Sequence, residues 1–327
     1  MPIINQVVKG SGGSAPAHYL TFGIDNNGRL VPGLGATNVI DLTGCTTING
    51  MYLLNEAYKN NTLITGAVNM SDVQIIGSSR NACASMFEGC TGITSIDLSS
   101  LTTISSLSGA DRMFANCTGI TSVVLSSLTT ISGNMGMNNC FYGCTGITNV
   151  DLSSLTTISG NSAMNACFDG NGITSIDLPS LTTISSTNAM QYCFGNCTNL
   201  SRVSFYALDT NSFGTQTNQF NYMLSGVTGC TVHFPMRVQS TIGSWASVTG
   251  GFSGTNTTVL FDIVTTLTGT DTNAYTRSQK NSTSTATAWD NGGTLYYTSG
   301  TTEPTVGGTI YSDAACTTAV TTIDTIA

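Results

Sequence analysis

One line of sequence is written five times in this chain, at an almost constant interval, between residues 86 and 208. Each copy has a phenylalanine followed by a run of the type ITSIDLSSLTTIS, which drifts in the fifth copy. The phenylalanines are spaced 27, 27, 27 and 26 residues apart, at Phe87, Phe114, Phe141, Phe168 and Phe194. A repeat of about 20 to 29 residues with this apolar pattern predicts a stacked solenoid, because one unit cannot bury its apolar side alone.

Two periodicities alternate within each unit. In the run ITSIDL the residues Ile93, Ile96 and Leu98 are expected on one side and Ser95 and Asp97 on the other, which is typical of a strand with one exposed face. Elsewhere in the unit apolar residues recur at i, i+3, i+4 and i+7, the spacing of one face of a short helix. In the fifth copy these residues are Met190, Cys193, Phe194 and Cys197. The sequence therefore predicts an α/β repeat solenoid whose coils each contain a strand, a turn and a short helical return.

Degenerate copies extend the array in both directions. Equivalent strand-core positions recur every 26 to 29 residues, at Ile40, Val68, Ile96, Val123, Val150, Ile176, Val203 and Val232. They predict about eight coils, stacked at the spacing of about 4.8 Å between neighbouring strands.

Four segments follow from this pattern. Residues 1–33 are predicted to be an N-terminal anchoring arm and cap, and residues 34–235 the solenoid. Solenoid ends expose apolar surface and need caps, and residues 236–264 are predicted to cap the C-terminal end. The Thr- and Ser-rich residues 265–327 are predicted to form a small all-β module of short strands between Gly and Asp turns.

The low charge of the chain excludes some partners. Only 8% of the residues are charged, the net charge is −8, and no Lys or Arg occurs between Arg112 and Arg202. Because nucleic-acid binding requires a basic surface, we expect no nucleic-acid partner. The N-terminus does not resemble a secretory signal, and no apolar run approaches about 20 residues, so we also expect no membrane insertion.

The cysteines are predicted to be core residues in the reduced state. Their number, eleven, is odd, and most recur at fixed positions of the repeat. Where Cys140, Cys167 and Cys193 stand, the two earlier copies have Met86 and Met113. A position that accepts Met or Cys is an apolar packing position.

No cofactor or metal is predicted. Two cysteine pairs four residues apart could in principle ligate a metal: Cys140 with Cys144, and Cys193 with Cys197. Zinc prefers four ligands, and the only histidines are His18, in the arm, and His233, on a strand. No nucleophile elbow, phosphate loop or paired-carboxylate motif stands out, so no catalytic residue is predicted.

A candidate binding surface lies along the exposed side of the predicted concave sheet. Its residues are Asp97, Val124, Asp151, Asp177, Arg202, Ser204 and His233. Carboxylates stacked at strand spacing repel weakly in water and gain from a cation or a hydroxyl-rich partner, which favours a glycan- or cation-binding stripe. The alternative is a solvated polar face without a ligand.

A second candidate is the N-terminal arm. Its apolar residues are Ile3, Ile4, Val7 and Val8, and the Gly- and Ser-rich linker GSGGSAP follows them. A short β-prone segment on such a tether is suited to adding a strand to the sheet edge of a partner. The alternative is a disordered tail.

The pattern of Phe, Cys, Ile and Leu in each copy resembles the BspA-type leucine-rich repeat. In one copy it is carried by Phe87, Cys90, Ile93, Ile96, Leu98 and Ile104. The resemblance covers about residues 34–235, although the unit is longer than is usual in that family and the copy at Phe168 lacks the Cys. It implies a protein of bacterial surfaces that acts in adhesion and partner binding.

The two ends of the chain add a second resemblance. INQVVKGSGG before the array and YTSGTTEPTVGGTIYSDAAC after it look like the termini of tail-fibre and other virion-attached proteins of gut bacteriophages. A phage protein needs no secretory signal because it is assembled inside the host. This resemblance implies a virion location, a virion protein bound through the arm, and a homo-oligomer, a trimer by analogy with phage fibres.

Together these observations predict a non-enzymatic phage appendage protein, of fibre or decoration type, that recognises a host surface protein or glycan. Two alternatives stay open at this point. One is a bacterial cell-surface adhesin of the BspA type, and the other is a carbohydrate-active enzyme.

Overall fold

The structure is a computed structural model of the whole chain. It describes residues 46–48, 54–77, 80–215, 218–235, 238–242 and 252–260 with their side chains, and the backbone of further strands in residues 6–32 and 261–325. The strands, in chain order, are β1 (Gln6–Val8), β2 (His18–Leu20), β3 (Phe22–Ile24), β4 (Leu30–Pro32), β5 (Thr47–Ile48), β6 (Gly66–Asn69), β7 (Ile75–Ile76), β8 (Ile93–Asp97), β9 (Thr103–Ile104), β10 (Ser122–Val124), β11 (Thr130–Ile131), β12 (Thr157–Ile158), β13 (Ser175–Asp177), β14 (Thr183–Ile184), β15 (Arg202–Ser204), β16 (Thr231–Pro235), β17 (Thr258–Leu267), β18 (Tyr275–Thr276), β19 (Thr287–Asn291), β20 (Thr294–Thr298), β21 (Ile310–Tyr311), β22 (Ala319–Val320) and β23 (Ile323–Thr325). One helix, α1 (Gln239–Ile242), follows β16.

Two parallel ladders of strands confirm the predicted solenoid. The first, the Thr-Ile face, joins six two-residue strands in the order β14-β12-β11-β9-β7-β5. The second, the long-strand face, consists of β10-β8-β6 and of β13-β15-β16-β17. Between these two groups the segment 148–151 is not a strand. Equivalent residues of successive coils pair in register, as Ile131 does with Ile104 and Ile158.

The predicted strand-core positions lie inside the solenoid. Seven of the eight, from Val68 to Val232, are buried, and Ile40 lies outside the described residues. Strand β17 continues the ladder beyond them, because its Val259 pairs in parallel with Val232. The segment predicted to cap the solenoid thus contributes one more rung to its sheet.

The predicted helical return of each coil is wrong. The third side of the solenoid, here called the turn face, consists of consecutive turns at residues 81–90, 108–117, 135–144, 162–171, 188–197 and 218–227. In the described part of the chain the only helix is the four-residue α1. The fold is therefore a β-solenoid of about seven turns, and the α/β class is not borne out.

A left-handed residue at every fourth position explains why no helix forms. In the first copy Asn81, Ser85 and Gly89 have φ between 51° and 75°, and the equivalent residues of the next four coils are also left-handed. A left-handed residue ends an α-helix, and most of these positions hold Gly, Asn or Ser, which are weak helix formers. A left-handed residue at every fourth position gives the turn run a period of four, so the apolar spacing is met without a helix. Met190, Cys193, Phe194 and Cys197 are accordingly all buried.

Hydrogen bonds on the turn face alternate between the coil and its neighbour. The N–H groups of Cys83, Ser85 and Phe87 donate to carbonyls of the next coil. The N–H groups between and after them, at Met86 and Glu88, donate to the carbonyl three residues earlier in the same coil. Half of the turn-face backbone is therefore satisfied only when the neighbouring coil is present.

The phenylalanines of the repeat form one continuous stack through the core. The rings of neighbouring coils lie 5.3 to 6.0 Å apart between centroids and within 10° of parallel, in the order Tyr58, Phe87, Phe114, Phe141, Phe168 and Phe194. All are buried. Each inner ring packs against a ring on both sides, so its removal affects three coils.

Asparagine and glycine share the last left-handed position of each turn run. A Cβ atom placed on Gly143 would lie 2.6 Å from Oδ1 of Asn116 in the preceding coil. The same placement on Gly170 meets nothing closer than 3.7 Å, because the preceding coil has Gly143 there. The amide of Asn116 thus occupies space that only a glycine leaves open.

We expect Gly143→Ala to lower the free energy of unfolding by about 2 to 3 kcal/mol. About 1 to 2 kcal/mol comes from the left-handed backbone, and about 1 kcal/mol from pushing Asn116 out of its rotamer. Gly170→Ala is the matched control, because it has the same backbone conformation without the contact. Equal losses for the two variants in urea unfolding, or a Gly143–Asn116 coupling of zero in a double-mutant cycle, would contradict this expectation.

Backbone pairings are described at the two ends of the chain. Strand β1 pairs antiparallel with β2, and β3 with β4. Strand β17 pairs antiparallel with β20 and β23, β20 pairs with β19, and β21 joins β18 and β22. The end of β17 and strands β18 to β23 lie within residues 265–327, and the separate all-β module there stays a prediction.

Candidate recognition surface

Two of the predicted binding carboxylates are used by their own backbone. The N–H of Ser99 donates to Oδ1 of Asp97, and the N–H of Ser153 to Oδ1 of Asp151, both at 2.9 Å. Asn69 makes the same contact with the N–H of its residue i+2. This is the Asx turn, in which a side-chain oxygen replaces a backbone acceptor. Asp97 and Asp151 therefore close the corner that follows the long-strand segment.

Asp177 is freed from this role by the proline that follows it. Its residue i+2 is Pro179, which has no N–H to donate. The carboxylate instead accepts hydrogen bonds from Nη1 of Arg202, at 2.5 Å, and from Oγ of Ser204, both in the next coil. The change from Ser to Pro in this copy, together with Arg202 and Ser204 in the next coil, thus replaces a local contact with a clasp between two coils.

The other predicted residues of the C-terminal coils gather around this clasp. Nη2 of Arg202 donates to the hydroxyl of Tyr206 at 3.2 Å, and the guanidinium lies 6.0 Å from the centre of that ring. Partial burial would lower the pKa of Arg202, but the contacts with Tyr206 and Asp177 outweigh burial and raise it. His233 is buried next to Tyr206, and its neighbour in the ladder is Ser204.

The structure thus brings Asp177, Arg202, Ser204 and His233 together. Serine lies between aspartate and histidine along the ladder, whereas a hydrolytic triad places histidine between the other two. Val124 lies beside Asp97 and is 37% exposed. In the arm, Val7 and Val8 lie on β1, whereas Ile3 and Ile4 lie outside the described residues.

The turn face is the part of the surface that differs most between copies. The sequence LSSLTTIS recurs without change at residues 98–105, 125–132 and 152–159, and with one proline at 178–185. The two positions that flank the core phenylalanine on the turn face have no such consensus, and four of the ten residues there are buried: Ala115, Ala166, Asp169 and Gly195. The position two before the core phenylalanine is Ser85, Arg112, Asn139, Ala166 and Tyr192 in successive copies, and the position after it is Glu88, Ala115, Tyr142, Asp169 and Gly195.

Tyrosine and amide side chains dominate the C-terminal half of this face. Tyr142 is 42% exposed and Tyr222 is 41% exposed. The ring of Tyr222 stacks on that of Tyr192 in the preceding coil, with centroids 5.1 Å apart and planes within 9°. Sequence reasoning missed these residues because it placed them on a helix. A comparison of the copies on either side of the phenylalanine would have found them.

Hydrogen bonds between neighbouring coils join polar side chains of the turn face in pairs. Nδ2 of Asn165 donates to Oε1 of Gln191 at 3.1 Å, and Nδ2 of Asn138 donates to Oδ1 of Asp111 at 3.0 Å. Burial raises the pKa of Asp111, and the hydrogen bond from Asn138 works in the opposite direction. Each pair joins two neighbouring coils, and the hydrogen bond orients both of its side chains.

The predicted reduced core cysteines are confirmed for the described residues. All nine cysteines there are buried thiols outside any disulfide. Sγ of Cys117 and Cys144 donates to the carbonyls of Phe87 and Phe114 in the preceding coil, at 2.9 and 3.0 Å. In the copy that lacks the cysteine, Nδ2 of Asn171 makes the equivalent bond. The conserved part of this position between copies is thus a donor to the preceding coil.

Burial also makes these thiols weak acids. It raises the pKa of Cys90 to about 11 and that of Cys144 to about 12. Cys140, Cys167 and Cys193 are shifted in the same direction. Among the residues described with side chains, no group of three or more His, Cys, Asp or Glu is placed to hold a metal ion.

A family comparison agrees with this architecture. The model of the BspA type leucine-rich repeat region matches residues 44–139 and 110–228, in six copies. The chain belongs to the BspA-type leucine-rich repeat family. Membership indicates a protein of surface adhesion and recognition. No curated protein and no solved structure matches the BspA-type chain significantly.

The BspA-type coils contain no candidate membrane span. In the part of the chain that the structure describes, no helix has the length and apolar character needed to cross a membrane.

Proposed function

We propose that this chain is a non-enzymatic recognition protein that displays its solenoid on an outer surface and binds its target through the turn face. One observation carries the proposal. The core and the Thr-Ile face repeat almost unchanged, whereas the residues that flank the core phenylalanine on the turn face, including the exposed Arg112 and Tyr142, differ from copy to copy. A repeated scaffold with one varied face is suited to presenting a specific surface, as other solenoids do.

The proposed setting is a bacteriophage virion, and the support for it is the resemblance of the two ends of the chain to virion-attached proteins. In this setting the arm with Ile3, Ile4, Val7 and Val8 holds the protein on a virion partner, and the chains assemble as a homo-oligomer. Because β1 already pairs with β2 along one edge, the partner would add to the other edge of this hairpin. The family membership supports a second setting, the surface of a bacterial cell.

Immunogold labelling tests both settings. Antibodies against the solenoid are applied to cells that carry the gene and to particles released from an induced culture. Gold on particles supports the virion, and gold on the cell envelope supports the adhesin. Deletion of residues 1–8 should abolish incorporation into particles without loss of the folded circular dichroism spectrum. Label confined to the cytoplasm of the cells, with none on the released particles, would contradict the proposal of a surface protein.

Carbohydrate-active enzymes are the competing class. The cluster of Asp177, Ser204 and His233 is the observation that makes this class worth testing. Purified protein is incubated with polysaccharides, and the products are sized by chromatography. Shortened polysaccharide products that form with the parent chain and do not form with an Asp177→Asn variant would overturn the non-enzymatic proposal.

A further inference from the structure

We infer that the tyrosine-bearing half of the turn face, from the coil of Tyr142 to the coil of Tyr222, binds a neutral polysaccharide by stacking sugar rings on its tyrosines. This inference names a ligand class for the proposed recognition surface and rests on that proposal. It concerns the turn runs 135–144, 162–171, 188–197 and 218–227.

The first support is the accessibility of the tyrosine rings. The equivalents of Tyr142 in the coils before and after it are Ala115 and Asp169, so no aromatic neighbour stacks on it. Its side chain makes no hydrogen bond or ring contact with any residue that the structure describes. One face of the Tyr222 ring is covered by Tyr192, and Tyr222 is still 41% exposed. The face of an aromatic ring is electron-rich and attracts the weakly positive C–H groups of a sugar ring.

The second support is two hydrogen-bonded amide pairs on the same half of the turn face. Asn165 uses its Nδ2 on Gln191, and Asn218 uses its Nδ2 on Asn188, at 3.1 and 2.9 Å. In the Asn165–Gln191 pair, Oδ1 of Asn165 and Nε2 of Gln191 are not needed for that bond, which leaves one acceptor and one donor for a ligand. Sugar hydroxyls both donate and accept. Because the pair is already ordered, binding costs less side-chain entropy.

The third support is charge. In the four turn runs of this half the only charged side chain is Asp169, and the N-terminal half carries Glu56, Lys59, Glu88, Asp111 and Arg112. Nucleic acids and acidic glycans need cations that this half lacks, and the whole chain has a net charge of −8. An uncharged polymer rich in hydroxyl groups is the ligand class that fits tyrosines and amides without charge.

The spacing of the tyrosines suits an extended chain. Tyr142 and Tyr192 are two coils apart, which is about 10 Å along the axis at the strand spacing of about 4.8 Å. Tyr222 follows one coil later, with its ring centroid 5.1 Å from that of Tyr192. Within their coils the two positions differ, because Tyr142 follows the core phenylalanine and Tyr192 lies two residues before it. The polysaccharide therefore crosses the turn face obliquely and contacts rings at both ends of a segment of a few sugars.

Affinity electrophoresis and isothermal titration calorimetry test the inference with named probes. The full chain is run in gels that contain laminarin, mannan, xylan, galactan or dextran, and in gels with the anionic polymers alginate and hyaluronan. We expect retardation by at least one neutral polymer and none by the anionic ones. Tyr142→Ala and Tyr222→Ala should each weaken that binding by about twofold to tenfold, as expected for one aromatic contact.

Thr130→Ala, on the Thr-Ile face, is the matched control and should bind like the parent chain. Retardation by none of the neutral polymers, or equal binding by Tyr142→Ala, Tyr222→Ala and the parent, would overturn the inference.

Its failure is distinguishable from failure of the proposed function. Labelled protein is also tested on intact host cells, after treatment of the cells with periodate or with protease. Binding that survives periodate, is lost after protease and does not depend on Tyr142 and Tyr222 contradicts the polysaccharide inference and keeps the recognition function. Absence of binding to any cell, together with cytoplasmic immunogold label, contradicts the recognition function itself.

Discussion

Raising the pH from about 8 to about 10 is expected to unfold this protein. Eight buried cysteines have a raised pKa in the folded state: Cys90, Cys117, Cys140, Cys144, Cys167, Cys193, Cys197 and Cys230. The main cause for each is loss of solvation of the thiolate. Above about pH 9 the unfolded chain releases these protons while the folded chain retains them, so stability falls as the pH rises.

The size of this effect is comparable to the whole stability of a domain. At about pH 10 each thiol lowers the free energy of unfolding by about 1.4 kcal/mol, so the eight together lower it by about 11 kcal/mol. A typical domain has a free energy of unfolding of about 5 to 15 kcal/mol. The loss begins near the pKa of about 9 of an unfolded thiol and continues until the folded thiols ionise, at about 11 for Cys90. Circular dichroism in the presence of a reducing agent measures the transition.

The repeat itself supplies the control. Cys140, Cys167 and Cys193 are replaced by Met, which occupies the same position in the two preceding copies. The variant has three fewer titrating thiols. At about pH 10 its free energy of unfolding should therefore fall by about 4 kcal/mol less than that of the parent chain, and its unfolding midpoint should move to higher pH. Cys45 and Cys316 lie outside the described residues and are changed to Ser in both proteins. Equal midpoints would show that the thiols do not cause the alkaline unfolding.

Phe141→Ala is expected to lower the free energy of unfolding by about 3 to 5 kcal/mol. The ring is fully buried and lies in the middle of the stack, 5.4 Å from Phe114 and 5.5 Å from Phe168. Its removal leaves a cavity that the fixed coil spacing cannot close, and two rings lose a stacking partner. Urea unfolding followed by circular dichroism measures the loss.

Tyr142→Ala is the adjacent control for this prediction. The side chain points out of the same turn run and is 42% exposed, so its removal should change the stability by less than about 0.5 kcal/mol. A loss for Phe141→Ala as small as that for Tyr142→Ala would mean that the phenylalanine stack does not stabilise the array.

The strands and the core of this fold could be predicted from sequence, and the third side of each coil could not. Alternation from Ser95 to Leu98 specifies one buried face whatever the neighbouring coil does. The apolar spacing of Met190, Cys193, Phe194 and Cys197 is met both by a helix and by a four-residue turn period. Hydrogen bonds to the next coil decide between the two, and these depend on left-handed residues such as Asn188, Tyr192 and Asn196.

The candidate site shows a similar division. Asp97, Asp151 and Asp177 occupy equivalent positions, and sequence reasoning treated them as one column. Two of them satisfy a backbone N–H two residues on, and the third cannot, because Pro179 has none. The signal was present in the sequence as one Pro in place of Ser. Its meaning required knowledge that these carboxylates close the corners of the coil.

The order of Asn and Gly at the last left-handed position also limits how the array can grow. This position reads Asn60, Gly89, Asn116, Gly143, Gly170, Asn196 and Gly226 along the solenoid, and no two asparagines are adjacent. A tandem duplication of the coil with Asn116 would set asparagine against asparagine and displace one amide, whereas duplication of the coil with Gly143 would not. A coil with asparagine at this position therefore needs glycine at the same position in the next coil. We expect relatives with longer arrays to have gained coils that carry glycine there.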